Sequence, residues 1–427
     1  MNAIENLLKD TPLPQVVRVR QIFDDTRLRD PVETLREKIL ANEGYQSVQP
    51  GARIAVAVGS RGILHIRDFT LALVGLLKEK GARPFIFPAM GSHGGATAEG
   101  QAAILAELGI TEKSMGVPIL SSMETVRVGT TETGLPVVMD RFAAEADGIV
   151  FLNRIKPHTS FRGPYESGLM KMITIGIGKQ AGAGLCHELG FGRMAENIPA
   201  IAEVALREKN FLFACGVVEN AYHEACIIEV LNKDEIADRE PALLTRAREL
   251  APRLYFDQLD VCVMDEIGKN ISGTGFDTAV VGRYHTPYAS GGPRISKLGI
   301  LDLTEESHGN ANGIGMADFT TRRLYEKFRP EQSYPNVLTS TVPASVKIPM
   351  VLANDRLLFQ AAVRTCNILD KSKVRLVRFR NTLELGTLEA SVGLMPEIEQ
   401  NGNMEILSAP YALSFDGDGN LPDRGKN

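Results

Sequence analysis

The sequence predicts an α/β protein of two domains with mostly parallel sheets and an active-site cleft between them. Three observations carry this. Short β-rich runs are each followed by a glycine-bearing loop and then by helical spacing; that pattern restarts near residue 259; and 427 residues exceed the usual size of one domain. The boundary is placed near 255. The first domain is then 1–255 and the second 256–427, with the polar last ~30 residues able to pack back on the first.

In chain order, "IAVAV" at 54–58 reads as a strand, "GSRG" as a loop and 67–80 as a helix stopped by Gly81. The unit recurs as "PFIFPA", "MGSHGG" and a helix over 97–108 with Thr97 as its N-cap, and a third time with "GIVFL" at 148–152. Between the second and third units, "TVRVGTTETGLPVVMD" alternates around a glycine turn and reads as a hairpin. A helix over 193–210 precedes two strand-like runs, "FLFACGVV" and "ACIIEVL", and a charged helix from 234 leads out of the domain. The second domain is expected to hold strands in "LDVCVMDEI", "LGILDLT" and "KVRLVRF", with helices in "GMADFTTRRLYEKF" and "NDRLLFQAAVRTCNIL".

Composition limits the function classes. The chain is 44% apolar and 23% charged, as in an ordinary globular protein, and its net charge of −5 argues against a nucleic-acid partner. Five cysteines without a CxxC pair indicate neither a disulfide framework nor a zinc ribbon. No leader-like segment and no long apolar run is present, so a cytoplasmic protein without a membrane partner is expected.

The chemistry concentrates at 153–192, "NRIKPHTSFRGPYESGLMKMITIGIGKQAGAGLCHELGFG". Its "GIGKQAG" is off the dinucleotide glycine fingerprint and is not a Walker A loop, since Ser or Thr does not follow GK. If the first three strands are neighbours, Arg61, His93 and His158 converge outside their carboxyl ends. Each histidine reads either as a general acid or base or as a solvent-facing loop residue; the cations around His158 favour the former. His187 lies too far from another histidine for a helical metal pair and stands alone as a candidate ligand. Lys171 is awkward among apolar neighbours. It either reaches solvent or Glu166, or offers a neutral amine as a nucleophile.

The order "GSRG", "GSHGGATAEG", "NRIKPHTSFRG", "GLMK" and a later histidine resembles the nickel-dependent lactate racemase family and its hydroxyacid racemase and epimerase relatives. The resemblance implies a nickel-pincer nucleotide cofactor, a pyridinium-3,5-bisthiocarboxylic acid mononucleotide holding Ni, delivered by cofactor-assembly proteins. It implies that Lys171 is the cofactor-linked lysine, His187 the nickel ligand, and His93 and His158 the acid–base pair. Arg61 corresponds to the arginine of the first loop. Arg154, Lys156 and Lys179 would then hold the mononucleotide phosphate. The chain has Val58 where the family usually has an acidic residue, and "GKNISGTGFD" in place of the lactate-binding Gln-x-x-Lys pair. Lys269, Asn270 and Ser272 are therefore expected to contact the substrate, against the alternative of a surface turn.

The expected function is racemisation or epimerisation of a small-molecule 2-hydroxy acid, including a sugar acid, by reversible hydride transfer. Hydride transfer avoids the dianionic carbanion that loss of the α-hydrogen as a bare proton would create. The alternatives are an NAD-dependent hydroxyacid dehydrogenase and a non-catalytic metal- or cofactor-binding protein.

Overall fold

The structure, a computed structural model, describes residues 3–60 and 62–422. The chain divides into two compact units, one of residues 1–23, 252–338 and 342–427, the other of 24–251 with 339–341. The first 23 residues thus fall with the C-terminal half, where a single N-terminal domain of 1–255 was expected. The reason is strand β1 (Val16–Gln21), whose register partners are Ser391 to Thr387 on one side and Ile406 to Met404 on the other. The segment past residue 400 likewise packs within that unit, with Tyr411 bridging Val16.

The 24–251 unit is built on β2 (Arg53–Val58), β3 (Arg83–Pro88), β6 (Gly148–Arg154), β7 (Phe211–Glu219) and β8 (Ala225–Asn232) in the order β3-β2-β6-β7-β8. All pairs are parallel except β7 with β8. β4 (Thr125–Thr130) and β5 (Pro136–Asp140) form the expected separate hairpin. Buried Ile54, Val56, Val58, Ile86, Val150 and Phe213 meet Phe69, Leu73, Leu76 and Leu77 of helix Ile66–Glu79, which supplies the core that fixes the strand ends. That helix stops where Gly81 takes φ +76°, and Thr97 caps Ala98–Glu107 through the Gly100 N–H.

The other unit carries β9 (Gln258–Ile267), β10 (Arg294–Leu303), β11 (Phe319–Thr321), β12 (Met350–Leu352), β13 (Leu376–Phe379), β14 (Thr387–Ser391) and β15 (Met404–Ile406). Five strands run parallel in the order β12-β11-β10-β9-β13, and β14, β1 and β15 complete the sheet antiparallel. The segment expected as one helix over 315–328 instead places β11 before a helix at Arg322–Lys327. Phe319 and Thr320 pair with Gly299 and Ile300, so sheet pairing overrides the local helical spacing. Among the described residues no helix is long and apolar enough to cross a membrane.

Candidate active site

β3, β2 and β6 are adjacent and parallel, so the loops that follow them leave one edge of the sheet side by side. The loop after β2 reaches the loop after β3 through a hydrogen bond between the Ser60 hydroxyl and His93 Nδ1. Arg61, next in that loop, lies outside the described residues. Inside the β3 loop, Gln101 from helix Ala98–Glu107 donates its amide to Gly91 O at 2.9 Å and to His93 O at 3.3 Å.

The loop after β6 holds His158. Its Nδ1 accepts the Ser160 backbone N–H at 3.0 Å, so the neutral ring carries its proton on Nε2. Its own backbone N–H donates to Glu166 Oε2 at 2.6 Å, and its ring lies 4.5 Å from the Phe161 ring and 6.0 Å from that of Phe191. Glu166 is fully buried. It also accepts from Gly163 N–H and from the guanidinium groups of Arg162 and Arg248, the last at 2.6 Å. Charge-assisted bonds from several segments therefore fix the turn that presents His158.

After β6 the chain forms the helical turn Leu169–Lys171 and continues through a π-helical turn, Met172–Gly176, into helix Lys179–Glu188. π turns are rare and concentrate at functional sites, because the extra residue re-aims the side chains that flank it. Half-buried Lys171 sits at the start of this turn. His187 lies near the end of the following helix, with its ring centroid 5.2 Å from that of Phe191, so His158 and His187 share one aromatic neighbour.

His187 is the most unusual titratable group here. Its Nδ1 is buried and has no hydrogen-bond partner among the described residues, and burial followed by the nearby Lys171 charge brings its pKa down to about 4. The ring is neutral at physiological pH with an uncommitted nitrogen, the state in which imidazole ligates a metal. The adjacent Cys186 thiol is pushed up to about 12 by burial, opposed by Lys171, and stays protonated rather than offering a thiolate. Among the described residues no group of three or more His, Cys, Asp or Glu side chains is placed to hold a metal ion. A metal at His187 would need further ligands from something other than such a cluster.

The cations expected to hold a phosphate divide. Arg154, at the end of β6, donates to Glu219 at 2.6 Å at the end of β7. Lys156 makes a two-bond backbone bridge with Ser167 that closes the His158 loop. Lys179, expected at the phosphate, is instead fully buried, its side chain without exposed surface. Its ammonium donates to Pro88 O at 2.8 Å and Gln101 Oε1 at 2.6 Å and lies 3.7 Å from Asp140 Oδ2. Burial lowers its pKa to about 8 against the pull of Asp140, whose own pKa burial raises. Such a lysine ties segments together and has no face to offer a ligand.

Lys269, Asn270 and Ser272 belong to the other unit, in the loop after β9. Lys269 Nζ donates to Gly273 O at 2.8 Å, Asn270 Oδ1 accepts from Thr304 at 2.7 Å, and Ser272 is buried. The loop is a tied structure, with Asn270 exposed at its surface.

Sequence reading missed Ser60, Gln101, Asp140, Arg248 and Glu240, and read Glu166 as a partner for Lys171, where the structure shows it accepting from the His158 N–H. Glu240, on helix Ile236–Leu250, is fully buried and accepts the Met170 N–H at 2.8 Å, and so caps the turn that carries Lys171. A Cβ at Gly168 would come within 2.0 Å of Glu240 Oε1, so a larger residue there would have to displace that carboxylate.

Residues 3–196 match the family model of the lactate racemase N-terminal domain. Seven chains of known structure match the fold. One is the lactate racemase apoprotein from Thermoanaerobacterium thermosaccharolyticum, at TM-score 0.53 and 14% identity, covering 87% of this chain and 99% of that one. At that identity the likeness speaks for the fold. No curated protein matches the chain.

Proposed function

We propose that this chain, whose residues 3–196 match the family model of the lactate racemase N-terminal domain, is a racemase or epimerase of a 2-hydroxy acid that works with a nickel-pincer nucleotide. The observation that carries the reading is His187, a neutral, half-buried ring whose Nδ1 is buried and uncommitted, beside the charge of Lys171. A lone imidazole suits a metal whose remaining ligands arrive with a cofactor. In this reading His187 ligates nickel, Lys171 is the attachment point, and the cofactor supplies a hydride acceptor. Lys156, whose backbone closes the His158 loop, is the proposed contact to the phosphate; Arg154 and Lys179 are engaged by carboxylates.

The two catalytic histidines enter with different hydrogen-bond chemistry. His158 gives up its Nδ1 lone pair to the Ser160 N–H and therefore presents Nε2–H, a donor to a substrate oxygen. His93 Nδ1 faces a hydroxyl, which both donates and accepts. By passing Nδ1–H to Ser60, His93 exposes the Nε2 lone pair and takes the substrate hydroxyl proton as general base. For the opposite enantiomer the roles exchange; to give a proton His158 must first be an imidazolium and to take one at Nε2 it must carry Nδ1–H, so in either role it releases the Ser160 N–H. Lys269 and Asn270 remain the proposed contacts to the far end of the substrate.

The test is to co-express the chain with cofactor-assembly proteins and follow the optical purity of a panel of 2-hydroxy acids, sugar acids included. Loss of optical purity that disappears in His93→Ala and His158→Ala, with a mass adduct absent from Lys171→Ala, is expected. Full turnover by the double histidine variant would refute the acid–base assignment. A stoichiometric oxidised product formed with NAD would favour a dehydrogenase.

A further inference from the structure

The buried Lys179 is the hub of a polar network that reaches the His93 loop at three backbone oxygens. Its ammonium holds Pro88 O directly, at the end of β3. Through Gln101 Oε1 it orients an amide whose nitrogen then holds Gly91 O and His93 O. Lys179 also begins the helix that carries His187 and faces Asp140 at the end of β5. Gln101 has no exposed surface. With its oxygen fixed on an ammonium, its amide cannot flip without setting two N–H groups against that cation and an oxygen against two carbonyls.

We infer that Gln101, oriented by Lys179, is a positioning residue that fixes the His93 loop in register with the helix bearing His187. The role of His93 in it rests on the racemase reading; the fixing of the loop does not. The physical argument is one of direction. A lysine donates only and a carbonyl accepts only, so the group between them must accept on one side and donate on the other. Of the residues that fit the space of a buried Gln, its carboxylate isostere meets the first need and fails the second. Losing the Gln101 ties at Gly91 and His93 frees the loop to move while its Pro88 end stays attached through Lys179.

The experiment uses Gln101→Glu in the full chain, with Gln101→Met as a second variant in case the first misfolds. Glu keeps the acceptor for Lys179 and strengthens that pair, but turns an oxygen toward Gly91 O and His93 O. Amide hydrogen exchange is read on the apoprotein, and kcat and KM on protein co-expressed with cofactor-assembly proteins. We expect exchange over 89–96 to rise about tenfold while 200–208 is unchanged, as the loss of two buried hydrogen bonds implies. On a substrate that the wild type racemises, kcat should fall about tenfold or more with KM little changed, the mark of a misplaced catalytic group. Exchange over 89–96 that stays at the wild-type rate in a folded variant overturns the inference. So does raised exchange with wild-type kcat. If the wild type racemises nothing, the racemase reading falls separately, and the exchange measurement alone decides whether Gln101 fixes the loop.

Discussion

Replacing Glu240 by glutamine should change the pH dependence of stability by an amount the structure sets. The carboxyl is fully buried among the described residues, with Oε2 on the Met170 N–H and Oε1 without a hydrogen-bond partner. Burial pushes its pKa from 4.5 to about 7, against the lowering effect of the Met170 and Leu169 N–H groups. At about 1.4 kcal/mol per pH unit, ionising it in place costs about 3 kcal/mol. Between pH 4.5 and about 7 the folded chain keeps a proton that the unfolded chain has lost. The raised pKa therefore contributes stability that is fully present below 4.5 and is lost as pH rises through about 7. Glu240→Gln preserves the shape and one acceptor oxygen but cannot ionise. The difference in melting temperature between wild type and variant should thus shift in the variant's favour by roughly 6–12 °C from pH 4.5 to 8, at about 2–4 °C per kcal/mol for a unit of this size. Thermal unfolding of both proteins at each pH measures this, and titrations common to both cancel in the difference. A difference that stays flat across the window would show that Glu240 ionises normally and that its burial is not as described.

His187→Ala should keep the fold and lose nickel, measured by metal analysis beside circular dichroism; loss of an outer partner alone costs roughly 10–100-fold in metal affinity, and loss of a ligand should cost no less. Retained nickel would move the metal elsewhere. Lys269→Ala and Asn270→Ala should change the ratio of kcat/KM between two hydroxy acids by about tenfold, the scale of one polar contact, with nickel content unaltered; unchanged selectivity would return the loop to a structural role.

What could be read in the sequence was local. The repeated strand, glycine loop and helix mark β2, β3 and β6 as strands, and the Thr97 cap and Gly81 stop are single-residue signals that hold in the structure. The sheet formed by β14, β1 and β15 was not legible, because Val16–Gln21 pairs with strands near the other end of the chain and no periodicity marks that partnership. The site divides in the same way. Histidines in glycine-rich loops after strands announce themselves. Their supports do not: Gln101 lies 78 residues from Lys179, Glu240 70 from Met170, and Arg248 82 from Glu166.

That distance explains why the density of cations over 153–192 misleads. Read alone, the stretch looks like a patch for a phosphate. In the folded unit Arg154 meets Glu219, Arg162 meets Glu166 and Lys179 meets Asp140, each carboxylate buried. A buried carboxylate needs a cation or several N–H donors to stay ionised, so these residues stabilise the supports of the loops before they can attract a ligand. The positive charge is therefore mostly structural, and the group that the proposed function uses as a metal ligand is the uncharged His187, whose Nδ1 no described residue engages.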